Sequence, residues 1–228
     1  METKKIPHHL GIILDGNRRW TKERGLPAFE GHRKGAELVK KVIKWAKDRK
    51  IKVLTLFIFS TENWKRSPRE VNYLMRLLNH GLNNKYIQEL HQERIRFEVI
   101  GQKRRLSPAL QKKIKEIENL TKDNKEMTVN IALSYGGRAE IVETIKNIIK
   151  KKIPPEKITE EIVSQNLWTS DLDLLIRTGK EQRISNFLIW QAAYSELYFC
   201  KKYWPDFTEK DLDVALQDYN QRQRRLGK

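Results

Sequence analysis

Four short polar runs each follow an apolar stretch of the chain: Asp15-Gly16-Asn17-Arg18-Arg19-Trp20, Ser60-Thr61-Glu62-Asn63-Trp64-Lys65-Arg66, Ser134-Tyr135-Gly136-Gly137-Arg138 and Arg177-Thr178-Gly179. In the first, Gly16 lets backbone come close to a ligand, and the helix start beyond it offers free amide hydrogens to an anion. A carboxylate beside an anion site makes chemical sense with a cation between them. Mg²⁺ suits, because it takes oxygen ligands from one or two carboxylates plus substrate phosphates. Taken alone, the same three residues are also an ordinary turn opening a helix. The second run supplies Ser60 and Asn63 as short hydrogen-bonding side chains with Arg66 behind them; its plainer reading is a solvated loop. The last supplies Arg177, followed by Arg183 and Ser185, and an arginine fork fits two phosphate oxygens at once. One such arginine is more often in a surface salt bridge, but Arg19, Arg177 and Arg183 together favour an anion site.

Other residues stay open on their own chemistry. Glu196 lies in an aromatic, apolar segment, 190–199, where an unpaired carboxylate is costly, so it either meets a basic side chain or binds a metal. His32 reads as a hydrogen-bonding residue near a helix start, and Gly136-Gly137 as a tight turn with phosphate contact as the lesser alternative.

The elements that must carry these residues follow from hydrophobic period. Leu10–Leu14, Val53–Phe59, Ile95–Ile100, Met127–Leu133 and Leu172–Ile176 read as strands. Helical faces are marked by Val39, Val42, Ile43 and Ala46, by Val71, Leu74, Met75, Leu78 and Leu82, and by Ile141, Ile145, Ile148 and Ile149. Ser107-Pro108 reads as a capped helix start. A final helix is expected over 207–227, opened by Thr208 and Asp211 and ending in Arg222, Arg224 and Arg225. Strands alternating with crossover helices imply an α/β fold with a mainly parallel central sheet flanked by helices on both faces. One domain over 1–228 is expected, with Lys150–Pro155 as a surface loop. In such sheets ligands sit beyond the carboxyl ends of the strands, where all four polar runs fall.

Bulk composition narrows the partners. Lys and Arg number 46 against 29 Asp and Glu, a net +17, which favours anionic partners. The single cysteine, Cys200, excludes an internal disulfide or a multi-cysteine zinc site and fits a reducing cytosol. The longest apolar run is too short to span a bilayer, so a cytoplasmic protein is expected, with membrane contact only at its surface. The basic residues are scattered rather than striped and no RNA-recognition, KH or zinc-finger pattern occurs, so nucleic acid is not expected as a partner. No Gly-x4-Gly-Lys-Ser/Thr loop supports a nucleotide phosphotransferase.

Together the segments HHLGIILDGNRRW, LFIFSTENWKR, NIALSYGGR, LIRTGKEQRISNFLIWQAAYSELYF and WPDF closely resemble the cis-prenyltransferases, in that family's order, from about His8 to Gly227. The resemblance implies an enzyme that adds isopentenyl diphosphate to an allylic diphosphate primer, farnesyl diphosphate being the usual one, to make a polyprenyl diphosphate destined for membrane lipid. It implies Asp15 as the Mg²⁺ carboxylate and Gly16, Asn17, Arg18, Arg19 and Trp20 as the loop around the allylic diphosphate, assisted by His32. Ser60, Thr61, Glu62, Asn63, Trp64 and Arg66 would form a second catalytic loop, with Asn63 near the condensing carbons. Arg177, Arg183, Ile184 and Ser185 would bind isopentenyl diphosphate, and Glu196 would be the second metal carboxylate. The tail Arg225-Leu226-Gly227 is similar to the family's Arg-x-Gly, which reaches the partner's site in a homodimer. Three positions depart from the pattern: Ala28 stands for a frequent arginine, Lys180 for a frequent glycine, and Gln182 for a frequent histidine near the metal. The helix Val71–Leu82 is the expected wall for a growing hydrocarbon chain. Intact Asp15, Asn63 and Glu196 argue against a non-catalytic subunit.

Overall fold

The computed structural model describes residues 5–27 and 29–222. Six strands, β1 (His9–Ile13), β2 (Val53–Ser60), β3 (Ile95–Ile100), β4 (Met127–Tyr135), β5 (Leu174–Arg177) and β6 (Glu196–Phe199), form one sheet in the order β3-β4-β2-β1-β5-β6. Every pairing is parallel. The helices are α1 (Asn17–Glu23), α2 (Glu30–Asp48), α3 (Pro68–Gly81), α4 (Asn84–Gln92), α5 (Pro108–Thr121), α6 (Gly137–Lys150), α7 (Glu160–Asn166) and α8 (Glu209–Gln221).

The central strands are apolar without alternation because both faces are covered. Leu10 and Ile12 of β1 join one cluster, with Leu54, Leu56, Val129, Ile131, Leu174 and Ile176, against α2, α4, α5 and α8. Ile13 joins the other, with Ala132, Leu175 and Phe187. The β3 edge is covered by side chains from α5 and beyond: Thr121 and Glu118 accept from the N–H groups of Phe97 and Val99, and Asn124 donates to the Ile95 carbonyl.

The helix starts follow local chemistry. Ser107 accepts from the Leu110 N–H with Pro108 at the first helical position, and Thr208 with Asp211 forms the expected capping box. Two expectations need correction. The last helix stops at Gln221, because Arg222 is already extended (φ −79°, ψ 139°), so the range to 227 is too long; residues 223–227 lie outside the described residues. On α6, Ile148 is buried but Ile145 and Ile149 are exposed, so that helical face is only partly core.

Candidate active site

β1 sits at the middle of the sheet, with β2 on one side and the much later β5 on the other. The connections diverge there, which opens a crevice beyond the carboxyl ends of these strands. Asp15 follows β1, and its Oδ2 accepts from Arg19 Nη2 at 3.0 Å and Arg177 Nη2 at 2.9 Å. Arg177, the last residue of β5, is buried; its Nη1 donates to Ser185 Oγ at 2.7 Å and to the Arg183 carbonyl. Its Nε has no partner among the described residues. Arg19 also meets Glu181 at 2.7 Å, and Glu181 in turn pairs with Arg183. These side chains line a cavity of about 710 Å³ together with Asn17, His32, Ser60, Glu62, Asn63 and Arg66.

Close packing sets the loop after β1. Gly16 has φ 107°, and a Cβ there would meet Tyr203 Cδ1 at 2.5 Å, so no other residue fits without displacement. On α2 a Cβ at Gly35 would fall 2.5 Å from Asn17 Oδ1, which is how α2 presses against the start of α1. After β2, Asn63 Oδ1 accepts from the Ser60 N–H at 3.0 Å. The Asn63 carbonyl is therefore engaged and its NH₂ group is the end left to meet a ligand.

His32 lies 3.6 Å from Glu70, which also binds Arg66 at 2.9 Å. Burial, followed by the charge of Arg66, pushes the His32 imidazole down to about 4 against the opposing pull of Glu70, so it is neutral at physiological pH.

A second cavity, about 140 Å³ and mostly apolar, runs between α2 and α3. Leu74, Leu77, Leu78 and Leu82 form the wall expected of Val71–Leu82, and Ala36, Val39 and Ile43 of α2 form the facing wall. Leu14, Asn17, His32, Ile58 and Leu74 border both cavities, so the arginine-lined space adjoins the apolar one.

Residues 13–227 match the Prenyltransf family model, described as "Putative undecaprenyl diphosphate synthase". The chain belongs to the undecaprenyl diphosphate synthase family. An isoprenyl transferase of Thermotoga maritima is 47% identical over 228 residues, covering 98% of this chain and 97% of the relative. One from Fusobacterium nucleatum is 47% identical over 226 residues, with 98% and 97% covered. Among solved structures, lavandulyl diphosphate synthase from Lavandula x intermedia in complex with dimethylallyl diphosphate aligns with a TM-score of 0.93 at 39% identity, covering 98% of this chain and 99% of that one. A probable undecaprenyl diphosphate synthase from Campylobacter jejuni aligns at 0.84 and 32% identity, covering 99% and 100%. The chain is thus a cis-prenyltransferase enzyme of that family.

Within this prenyltransferase the expected site residues divide into three groups. Asp15, Gly16, Asn17, Arg18, Arg19, His32, Ser60, Glu62, Asn63, Arg66, Arg177, Arg183 and Ser185 border the polar crevice. Trp20, Thr61, Trp64 and Ile184 stand behind its walls instead. Trp20 is buried and donates to Asp206 at 2.8 Å, and Trp64 donates to Ser134 at 2.9 Å. Thr61 packs against Gly136, and Ile184 against the second core cluster.

Glu196 does not join this site within the chain. It opens β6 in register with Leu174 and hence with Leu10, at the opposite end of the sheet from Asp15. At ~3.3 Å per residue the two carboxylates are offset by on the order of 15 Å, too far to share one ion within the chain. Glu196 instead accepts from Arg222 at 2.8 Å, the ion-pair alternative that its apolar setting left open.

Sequence reasoning missed Glu70, Glu181 and Asn186. Glu70 stands three residues after Ser67, so it reads as part of a helix cap, and Glu181 reads as one more charge in a polar loop. Of the departures, Lys180 has φ 68°, a conformation that accounts for glycine at that position, while Ala28 lies outside the described residues. Gln182 is exposed. Among the described residues no three His, Cys, Asp or Glu side chains are grouped to hold a metal unaided. Asp15 fits Mg²⁺ only in the manner of a single carboxylate completed by substrate phosphates.

Proposed function

We propose that this enzyme transfers isoprenyl units from isopentenyl diphosphate to an allylic diphosphate, with farnesyl diphosphate as primer, to build a cis-polyprenyl diphosphate. The observation that carries the reading is the adjacency of the two cavities: a cationic pocket beside a hydrocarbon-lined one fits an anionic head with an apolar tail. The dimethylallyl diphosphate bound in the lavandulyl diphosphate synthase structure is such a molecule, and it supports the same class of substrate here.

In this reading Asp15 would hold Mg²⁺ together with substrate phosphates, and the ion, when bound, would supply charge neutralisation to a departing diphosphate. The chain's own residues do the rest. Arg19 stabilises charge accumulating on the leaving diphosphate from a fixed position beside Asp15. Arg177, Arg183 and Ser185 hold isopentenyl diphosphate so that its double bond faces the allylic carbon, converting an encounter into an intramolecular step. Asn63 presents an N–H donor and is a poor base, so it orients the reactants while a diphosphate oxygen takes the proton lost from the new cation. The apolar walls of α2 and α3 take up the product chain, each buried CH₂ contributing ~0.8 kcal/mol. A homodimer in which Arg225 and Gly227 approach the partner's site is part of the reading; both residues lie outside the described residues. No helix among the described residues is long and apolar enough to cross a membrane, and peripheral contact suits delivery of a lipid product.

Incubation with farnesyl diphosphate, radiolabelled isopentenyl diphosphate and Mg²⁺, followed by chromatography of the extracted lipid, tests this. Labelled polyprenyl diphosphate that disappears when EDTA is added is the expected result. Product formed equally well in EDTA would remove the metal from the scheme, and no lipid product would remove the scheme itself.

A further inference from the structure

Three of the loops around the crevice meet at Asn186. Its Nδ2 donates to Glu62 Oε1 at 3.0 Å, in the loop after β2. Its Oδ1 accepts from the Arg138 N–H at 3.0 Å and its carbonyl from the Gly137 N–H at 2.7 Å, both at the start of α6. Since the N-cap of α6 is Gly136, which has no side chain to cap it, Asn186 satisfies two of the helix's otherwise unpaired N–H groups from a distant segment. The Gly137 and Arg138 amides are thereby engaged rather than open to a phosphate. A Cβ at Gly136 would lie 2.7 Å from both Asn186 Nδ2 and Thr61 Oγ1, so the junction closes only over glycine.

Ser185 and Asn186 are both left-handed, with φ 49° and 63°. Asparagine tolerates that region better than most residues, whereas serine must be held there by its surroundings. The Ser185 hydroxyl is the group that accepts from Arg177 Nη1 at 2.7 Å. We propose that Asn186 is a positioning residue: braced by Glu62 and by the start of α6, it fixes the Ser185 hydroxyl and through it the Arg177 guanidinium. Glu62 then acts through Asn186 rather than by touching substrate. This rests on the reading of Arg177, Arg183 and Ser185 as the clamp for isopentenyl diphosphate.

Asn186→Asp tests it with little change of shape. Aspartate accepts the left-handed backbone and can still receive the Arg138 N–H, but it sets a second carboxylate against Glu62. Isopentenyl diphosphate binding, measured by titration calorimetry without an allylic primer so that no turnover occurs, is expected to weaken at least tenfold. KM for isopentenyl diphosphate should rise in parallel. Glu62→Gln added to that variant restores a donor and an acceptor with their roles exchanged, and should return the affinity to within about threefold of wild type. A residue that only caps α6 would lower the melting temperature without this pattern. Wild-type affinity in Asn186→Asp, or no recovery in the double variant, overturns the inference. Should Asn186→Asp not fold, Glu62→Ala removes the same bond from the other side: at least fivefold weaker binding supports the inference and unchanged binding overturns it. Wild-type protein that binds no isopentenyl diphosphate would overturn the underlying reading of the clamp, and the inference with it, before any variant is compared.

Discussion

Arg177 Nη2 donates to Asp15 Oδ2 at 2.9 Å, joining the carboxyl ends of β5 and β1 across the crevice. The Arg177 side chain is 5% exposed, while the Asp15 side chain is 29% exposed. The pair thus has a fixed, largely dry half and a more accessible half, and both line the crevice. Asp15→Ala is expected to lower kcat by about 10³ or more, roughly 4 kcal/mol of barrier, because both the metal carboxylate and the alignment of Arg19 are lost. It should also lower stability by about 1–3 kcal/mol through the partly unpaired Arg177. Steady-state kinetics and urea unfolding read the two effects separately, and near-normal turnover with saturating Mg²⁺ would refute the assignment of Asp15.

Arg177→Lys keeps the charge and is expected to fail for geometric reasons. One ammonium cannot reproduce the planar fork that reaches Asp15, Ser185 and the Arg183 carbonyl together. KM for isopentenyl diphosphate should rise at least tenfold while the primer KM moves less. Equal effects on both would place Arg177 in a general structural role.

The apolar cavity predicts control of product length. Ala36 on α2 faces Leu74 and Leu78 of α3 across a space of about 140 Å³. Ala36→Phe should shift the product distribution to shorter chains, because the added ring occupies volume the tail needs and overpacking a filled site costs typically 1–3 kcal/mol. Leu78→Ala should shift it to longer ones. Chromatography of dephosphorylated lipids checks both, and an unchanged distribution in the two variants would mean that the chain grows elsewhere.

The strands and the crevice were legible in the sequence because a sheet buried on both faces leaves unbroken apolar runs with polar residues at their ends. β6 was not, since its four residues, Glu196–Phe199, lie in a longer aromatic segment and begin with a charge. Glu196 shows the limit of a motif: position along a strand, which separates it from Asp15, is set by pairing with β5 and not by residue type. Glu70, Glu181 and Asn186 were missed for a related reason. Each does its work through partners far away in the chain, namely His32 for Glu70, Arg19 for Glu181, and Glu62 for Asn186.

Lys180 carries a backbone prediction. At φ 68° it is left-handed, with its ammonium 4.6 Å from the Tyr203 ring centroid. A β-branched residue gains nothing there and adds steric conflict, so Lys180→Val should cost about 1–2 kcal/mol. Lys180→Gly should be neutral within about 0.5 kcal/mol, relief of the backbone offsetting a looser unfolded chain and the lost ring contact. Urea unfolding of the two variants should separate them in that order. Equal destabilisation would show that the ammonium, and not the backbone, decides this position.

Acid stability should depend on His9 and His32 together, and His9 shows how. Its ring is fully buried: Nδ1 faces the Ser170 and Asp171 carbonyls, and Nε2 lies 2.7 Å from the Thr55 hydroxyl. Two carbonyls require a proton on Nδ1, so Nε2 is the acceptor in the neutral ring. Burial, opposed by those carbonyls, lowers its pKa from 6.5 to about 4. Between those values the unfolded chain binds a proton that the folded one refuses, so stability is full above pH 6.5 and falls as pH drops toward 4. The loss from this group is about 2 kcal/mol at pH 5 and on the order of 3 kcal/mol once pH is below 4. His32, lowered in the same direction, adds to the slope. Urea unfolding between pH 7 and pH 5 should show the decline, and His9→Gln should remove about half of it, His32 supplying the rest, at some cost in stability at pH 7. A wild-type protein equally stable at both pH values would mean that the ring is hydrated or paired in a way its burial excludes.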